Sequence, residues 1–409
     1  MQNKIIQFTL AALIVAIIGG FAGYYLFIKN KTQETQAAAN ARGDGDASFT
    51  GSVGSTYQNI TEGSGTTTAQ LGKRAPRLWH VTKTPIAGFG FGAGGTYLYI
   101  AERATGNILR ADQSVSSITR LTNTLIPKVR EALFSRSGDV ILRTSNEADG
   151  ITTFAGTIAT TTVVTSTSTS NILEGTYLPQ DIVSVAVVPN QPTSKGIFYI
   201  TKLPDGGSVG VTSGWKGSGV ARVFTSPLTQ WRSQRLADGR IVLTQSPSDD
   251  IAGYSFVVAK DGSMTELLTD MPGLEVLFHD TNDAYLYSTS ESGSVSLFVK
   301  TAKGAAVKLP VQTVVDKCVW APGAGLIAYC AVPTTPPGSN YLVNWYEGVT
   351  HSQDVWWKIE AAEGTASRFF VPDTRTDFDV ETPSIDESGA YIGFRDAADK
   401  SLWLLRISE

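Results

Sequence analysis

One unit recurs seven times between residue 77 and the C-terminal Glu409. It consists of an inner strand, a turn carrying Gly or Asp, a second strand of aromatic and aliphatic residues, and then a third and a fourth strand. The copies read IAGFGFGAGGTYLYIAE (86–102), REALFSRSGDVILRT (130–144), SVAVVPNQPTSKGIFYIT (184–201), SQRLADGRIVLTQ (233–245), VLFHDTNDAYLYST (276–289), KCVWAPGAGLIAYC (317–330) and PSIDESGAYIGF (383–394). The spacing is about 48 residues per copy, within the ~40–50 of a propeller blade. A unit of this size cannot bury its own apolar face, so the copies must pack on one another. The 40 glycines suit many short strands joined by tight turns.

The hairpin WAPGAGLIAY at 320–329 resembles the W-S-P-D-G-x-x-I-A-Y hairpin of TolB-type and WD40-like β-propeller repeat proteins. The other copies are more degenerate versions of it, and the resemblance covers residues 77–409. It implies an all-β fold, a seven-bladed β-propeller, and no particular activity, because propellers host many unrelated functions. The last copy stops after SLWLLRI (401–407), its third strand. PRLWHV (76–81) stands before the first copy, where ITRLTN (118–123) stands before the second. The N-terminal strand is therefore expected to complete the last blade and leave no open sheet edge where the chain ends meet.

Ahead of the repeats, residues 5–28 form the only long apolar run. As a helix they would span about 36 Å, enough for a ~30 Å hydrocarbon core. The run continues through Tyr24, Tyr25, Leu26, Phe27 and Ile28, past the ~7–15 residues of a signal-peptide core. A retained single-pass transmembrane anchor over 1–30 is expected in preference to a cleaved signal. Gly19 and Gly23 have the spacing that lets two membrane helices approach. Such residues are also simply common in membrane helices, and that is the favoured reading. Residues 31–76 are rich in Ala, Gly, Ser, Thr and Gln without period, which predicts a flexible linker. Three domains follow: anchor 1–30, linker 31–76 and propeller 77–409.

Cys318 and Cys330 are the only cysteines, each six residues from Ala324 at the centre of a hairpin turn. Such a hairpin pairs them directly across neighbouring strands, and a disulfide is expected over two buried thiols. A disulfide persists outside the cytoplasm. Lysines flank both ends of the apolar run and leave its orientation open, so the disulfide turns the expectation toward an extracytoplasmic propeller.

The net charge is −4 and no basic block stands out, which argues against a nucleic-acid partner. No H-E-x-x-H pair, Walker-type phosphate loop or Cys/His metal spacing occurs, and no cofactor or metal is expected. Of the three histidines, His80 falls in the closing strand, His279 at a turn, and His351 in a long loop. His351 is the one titratable nominee if the chain is an enzyme.

Two blades carry long stretches that read as insertions between their second and third strands. They are KLPDGGSVGVTSGWKGSG (202–219) in the third blade and PTTPPGSNYLVNWYEGVTHSQD (333–354) in the sixth. Both are expected over one mouth of the channel, where function tends to sit. Trp215, Lys216, Tyr341, Trp345, Tyr346 and His351 are the candidate binding residues, since aromatic loops stack on sugars or anchor peptides. The competing reading is a small hairpin that buries its own aromatics. The expected role is a membrane-anchored binding platform in the cell envelope, for a protein or a glycan. An envelope-polymer hydrolase or lyase and a structural subunit of a membrane complex are the alternatives.

Overall fold

Alternating apolar strands, most of them four to seven residues long, are separated by Gly- and Asp-containing turns and assemble into seven four-stranded antiparallel sheets. The computed structural model describes residues 76–408, apart from 114–116, 146–149, 163–168, 189–195 and 374–375. The expected anchor, Gly19 and Gly23, and all but the last residue of the expected linker lie outside the described residues. Among the described residues, no helix is long and apolar enough to cross a membrane.

The seven inner strands are Ile86–Phe91, Val129–Phe134, Ile182–Ala186, Trp231–Arg235, Glu275–Phe278, Cys318–Trp320 and Val380–Ile385. Each opens one blade, so every repeat read from the sequence is a blade. Leu78–Thr82 pairs with Leu402–Arg406, with Leu78 opposite Leu405 and His80 opposite Trp403. The His80 ring stacks on Trp403 at 4.0 Å between centroids. The first strand thus completes the seventh blade, as expected.

The core lies between neighbouring blades. Leu98, Ile100 and Leu109 of the first blade pack with Leu402 and Leu404 of the seventh in one buried cluster. Glycines let adjacent inner strands close up. A Cβ on Gly88 would lie 2.1 Å from the Ala132 carbonyl oxygen, and one on Gly90 would lie 2.5 Å from Phe134 Cβ. Polar clamps also repeat between blades. Arg143 pairs with Glu131 opposite it and donates to the Ile182 carbonyl of the next blade (2.9 Å). Arg395 pairs in the same way with Glu381 and reaches the Ala87 carbonyl (2.8 Å). Cys318 and Cys330 are register partners joined by a disulfide.

Candidate functional site

The antiparallel course of each blade assigns its loops to two faces. Loops between the second and third strands share a face with the connections that enter the next inner strand. The turns between the first and second strands share the opposite face with the loops before the outer strands. The closing strand starts, and Leu402–Arg406 ends, on that opposite face.

The third-blade stretch corrects the sequence reading. Residues 202–219 are no insertion, because Ser208–Ser213 is the third strand and pairs residue for residue with Ile197–Lys202. A tight turn joins these strands, with Leu203 N–H donating to the Gly207 carbonyl at 2.7 Å. Trp215 and Lys216 follow in the loop to the outer strand, on the opposite face from the sixth-blade insertion. Trp215 is buried among Leu178, Ile182 and Val211, while Lys216 is exposed. Alternating Gly and Val in GGSVGVTSG read as a loop because Gly is frequent; the Ser208–Ser213 side chains are largely buried.

The sixth-blade insertion is real. It leaves the second strand at Pro333, returns at Asp354, and forms a short helix, Tyr341–Tyr346, where a hairpin was the competing expectation. The helix buries Tyr341, Leu342 and Trp345 against Val295 and Val314. Trp356, which follows in the third strand, is fully buried as blade packing. Three exposed apolar side chains remain on the insertion: Val343 (37%), Tyr346 (39%) and Val349 (70%).

Four blades hold this insertion down. From the fourth, Asp249 accepts the Val343 N–H (3.2 Å) and the Ser290 hydroxyl of the fifth (2.8 Å). Arg232, also of the fourth blade, donates to the Tyr346 hydroxyl (3.0 Å) and to Asp316 (2.7 Å), and lies 3.1 Å from Glu275. The Tyr346 hydroxyl donates to Asp316 (2.8 Å). In the fifth blade, Gly293 has φ +78°, and a Cβ there would sit 2.6 Å from Ser339 Cα, so the turn fits under the insertion only as glycine. Burial pushes the Glu275 carboxyl up to about 8, although Arg232 opposes the shift.

The second anchor joins the sixth and seventh blades. Lys317 is fully buried; its ammonium bonds Asp354 (2.6 Å), Asp379 and the Ser352 hydroxyl (2.9 Å). The Trp345 indole N–H bridges both Asp379 oxygens at 3.0 Å, and His351 Nδ1 lies 3.1 Å from Asp379 Oδ2. Burial alone would raise the Asp379 carboxyl. Lys317, with the bonds from Trp345 and His351, more than offsets this and holds it below its ordinary value. Asp354 moves the other way, because burial outweighs Lys317 there. Burial would likewise lower the Lys317 ammonium, yet its two carboxylates keep it raised and charged.

The structure thus brings Tyr341, Trp345, Tyr346 and His351 together and leaves Trp215 and Lys216 apart. Tyr341 and Trp345 serve as packing and anchoring groups. Sequence reasoning missed Arg232, Glu275, Asp316, Lys317, Asp354 and Asp379. Their only signal was charge at the entrances to inner strands and, for Asp354, at the end of the insertion, spread over four blades.

The chemistry open to this cluster is limited. The Ser352 hydroxyl is engaged by Lys317 and the two carboxylates, and the His351 nitrogen that is held faces Asp379, so the two do not form a nucleophile–base pair. Asp379 does orient the half-exposed imidazole, as in a general acid–base pair. A shallow pocket of about 130 Å³ lies at the foot of the insertion, lined by Thr334, Gln353, Val371, Pro372, Thr376 and Asp377 among others. Sites for small organic ligands are usually ~300–1,000 Å³.

No family model matches the chain, and no curated protein matches it. Solved structures do. The β-propeller domain of the Trilobed protease from Pyrococcus furiosus is 9% identical with a TM-score of 0.50, over 80% of this chain and 98% of that one. An oligogalacturonate lyase in complex with manganese is 10% identical with a TM-score of 0.50, over 78% and 88%. A virginiamycin B lyase from Staphylococcus aureus is 14% identical with a TM-score of 0.49, over 80% and 96%. These likenesses are of architecture alone: the chain is a seven-bladed β-propeller, and its function has to be argued from its own site.

Proposed function

We propose that this chain is a binding platform, a propeller tethered through residues 5–28 to a membrane of the cell envelope, which holds a protein partner on the insertion of its sixth blade. One observation carries the reading. Twenty residues that the blade does not need, 334–353, are pinned by groups from four blades and still present Val343, Tyr346 and Val349 to solvent. Anchoring of this kind lowers the ordering cost of docking. A protein fits better than a glycan, because Tyr341 and Trp345 are buried and the insertion's only exposed Tyr or Trp, Tyr346, stands beside two exposed valines. The Cys318–Cys330 disulfide supports the extracytoplasmic side.

The test is affinity purification of the full chain from detergent-solubilised membranes, wild type beside Val343→Ser/Val349→Ser, with quantitative mass spectrometry. A protein recovered with the wild type and depleted about tenfold or more with the variant supports the platform. Equal recoveries from two folded proteins would rule this face out.

A second reading, an enzyme on an envelope polymer, draws on the Asp379-oriented His351 alone. It requires that envelope polymer be turned over by the wild type and that His351→Gln abolish this while the fold is kept.

A further inference from the structure

We propose that the segment received by the sixth-blade insertion is cationic and amphipathic: apolar side chains seat on Val343, Tyr346 and Val349, and Lys or Arg side chains meet the carboxylates around them. The inference rests on the platform reading and names the chemistry of its partner.

Val343 and Tyr346 are one helical turn apart and share a helix face, with Val349 just beyond, its N–H bonded to the Asn344 carbonyl at 2.8 Å. The three therefore form a short apolar ridge on a braced support.

The rim of that ridge carries exposed carboxylates on its fourth-, fifth- and sixth-blade sides. Residues 334–353 contain no Lys or Arg, and their one acidic residue, Glu347, is exposed. Asp250 is exposed beside Asp249, the residue that holds the Val343 N–H. Glu291 is exposed at the fifth-blade turn that packs under Ser339. The loops 246–251 and 291–293 contain no Lys or Arg. The cations beneath the insertion, Arg232 and Lys317, are turned to Glu275 and Asp316 and to Asp354 and Asp379.

An apolar centre with a carboxylate-bearing rim supplies affinity from the centre, and steering and partner choice from the rim. An acidic or neutral segment would meet repulsion or no reward at these three carboxylates. A purely basic segment would leave the ridge in water.

The test uses the full chain in its membrane, with a photo-crosslinking residue in place of Val349 and, as a control on the opposite face, in place of Lys216. The crosslinked partner peptide is sequenced by mass spectrometry. The expected result is a crosslink specific to position 349, on a segment where Lys or Arg flanks apolar residues. Asp250→Lys/Glu347→Lys should lower its yield about tenfold. A 349-specific crosslink to an acidic or uncharged segment, or a yield indifferent to the charge reversal, overturns the inference and leaves the platform standing. No crosslink beyond the Lys216 control overturns both.

Discussion

The third and sixth blades each carry a long, Gly-containing stretch with a tryptophan between two strands, and the two fold differently. In the third blade the stretch is a tight turn, the strand Ser208–Ser213 and a second turn that buries Trp215. In the sixth it is an insertion whose helix buries Trp345 beneath a solvent-facing ridge. The difference lies in what each stretch finds beneath it. Residues 208–213 have a complete strand to pair with, so the backbone takes sheet hydrogen bonds. Residues 334–353 have none, and several of their polar groups are held by Asp249, Arg232 and Asp379 of other blades and by Asp316 at the entrance to their own. Loop length in sequence therefore does not by itself mark a site; polar anchoring from distant elements separates the two.

The sharpest way to break the comparison is Lys317→Ala. It leaves Asp354 and Asp379 buried without their cation, a loss of about 3–5 kcal/mol. Urea unfolding should show that loss, and no exposed lysine of the third blade, Lys216 included, should match it. Next come the two tryptophans. Trp345→Ala and Trp215→Ala should each cost about 3–5 kcal/mol, since both empty a packed site. Only Trp345→Ala should also free Asp379 and release the insertion, which limited proteolysis around 334–353 would detect. Equal proteolysis in the two variants would mean that the indole bond does not hold the insertion.

A smaller, pH-dependent effect belongs to the sixth-blade side alone. Burial raises Glu275 from about 4.5 to about 8, so the folded chain keeps a proton there that the unfolded chain has lost. Folding then takes up a proton across that window, and stability falls as pH rises through it. Glu275→Gln should flatten this slope, so that its melting temperature gains on the wild type between pH 5 and pH 8.5. A constant difference would show that Arg232 keeps Glu275 ionised throughout. Smallest is Tyr346→Phe, which removes the bonds to Arg232 and Asp316 and should cost about 0.5–1.5 kcal/mol. Lys216→Ala should move neither stability nor partner binding.

The blades, their number, the closing strand and the pairing of Cys318 with Cys330 were legible in the residues. All four follow from period-two alternation and turn residues close in sequence, and ring closure then leaves little freedom. Tyr346 and His351 were legible as residues of the sixth-blade insertion, which the structure keeps between its second and third strands. What the sequence could not disclose is which aromatics face inward. Tyr341 and Trp345 look as available as Tyr346 until the fifth-blade Val295 and the Val314 that precedes the sixth are brought beneath them.

The sequence by itself determined a ring of seven hairpin-based blades clasped by the N-terminal strand, since each step needs only local pattern and a neighbour of the same kind. Only the tertiary structure decided the site. Lys317, Asp354 and Asp379 are far apart in the chain, as are Arg232 and Tyr346, and nothing local pairs them. A buried charge must find its counter-charge wherever the fold places it, and here the meeting of four blades at one mouth places it under the insertion.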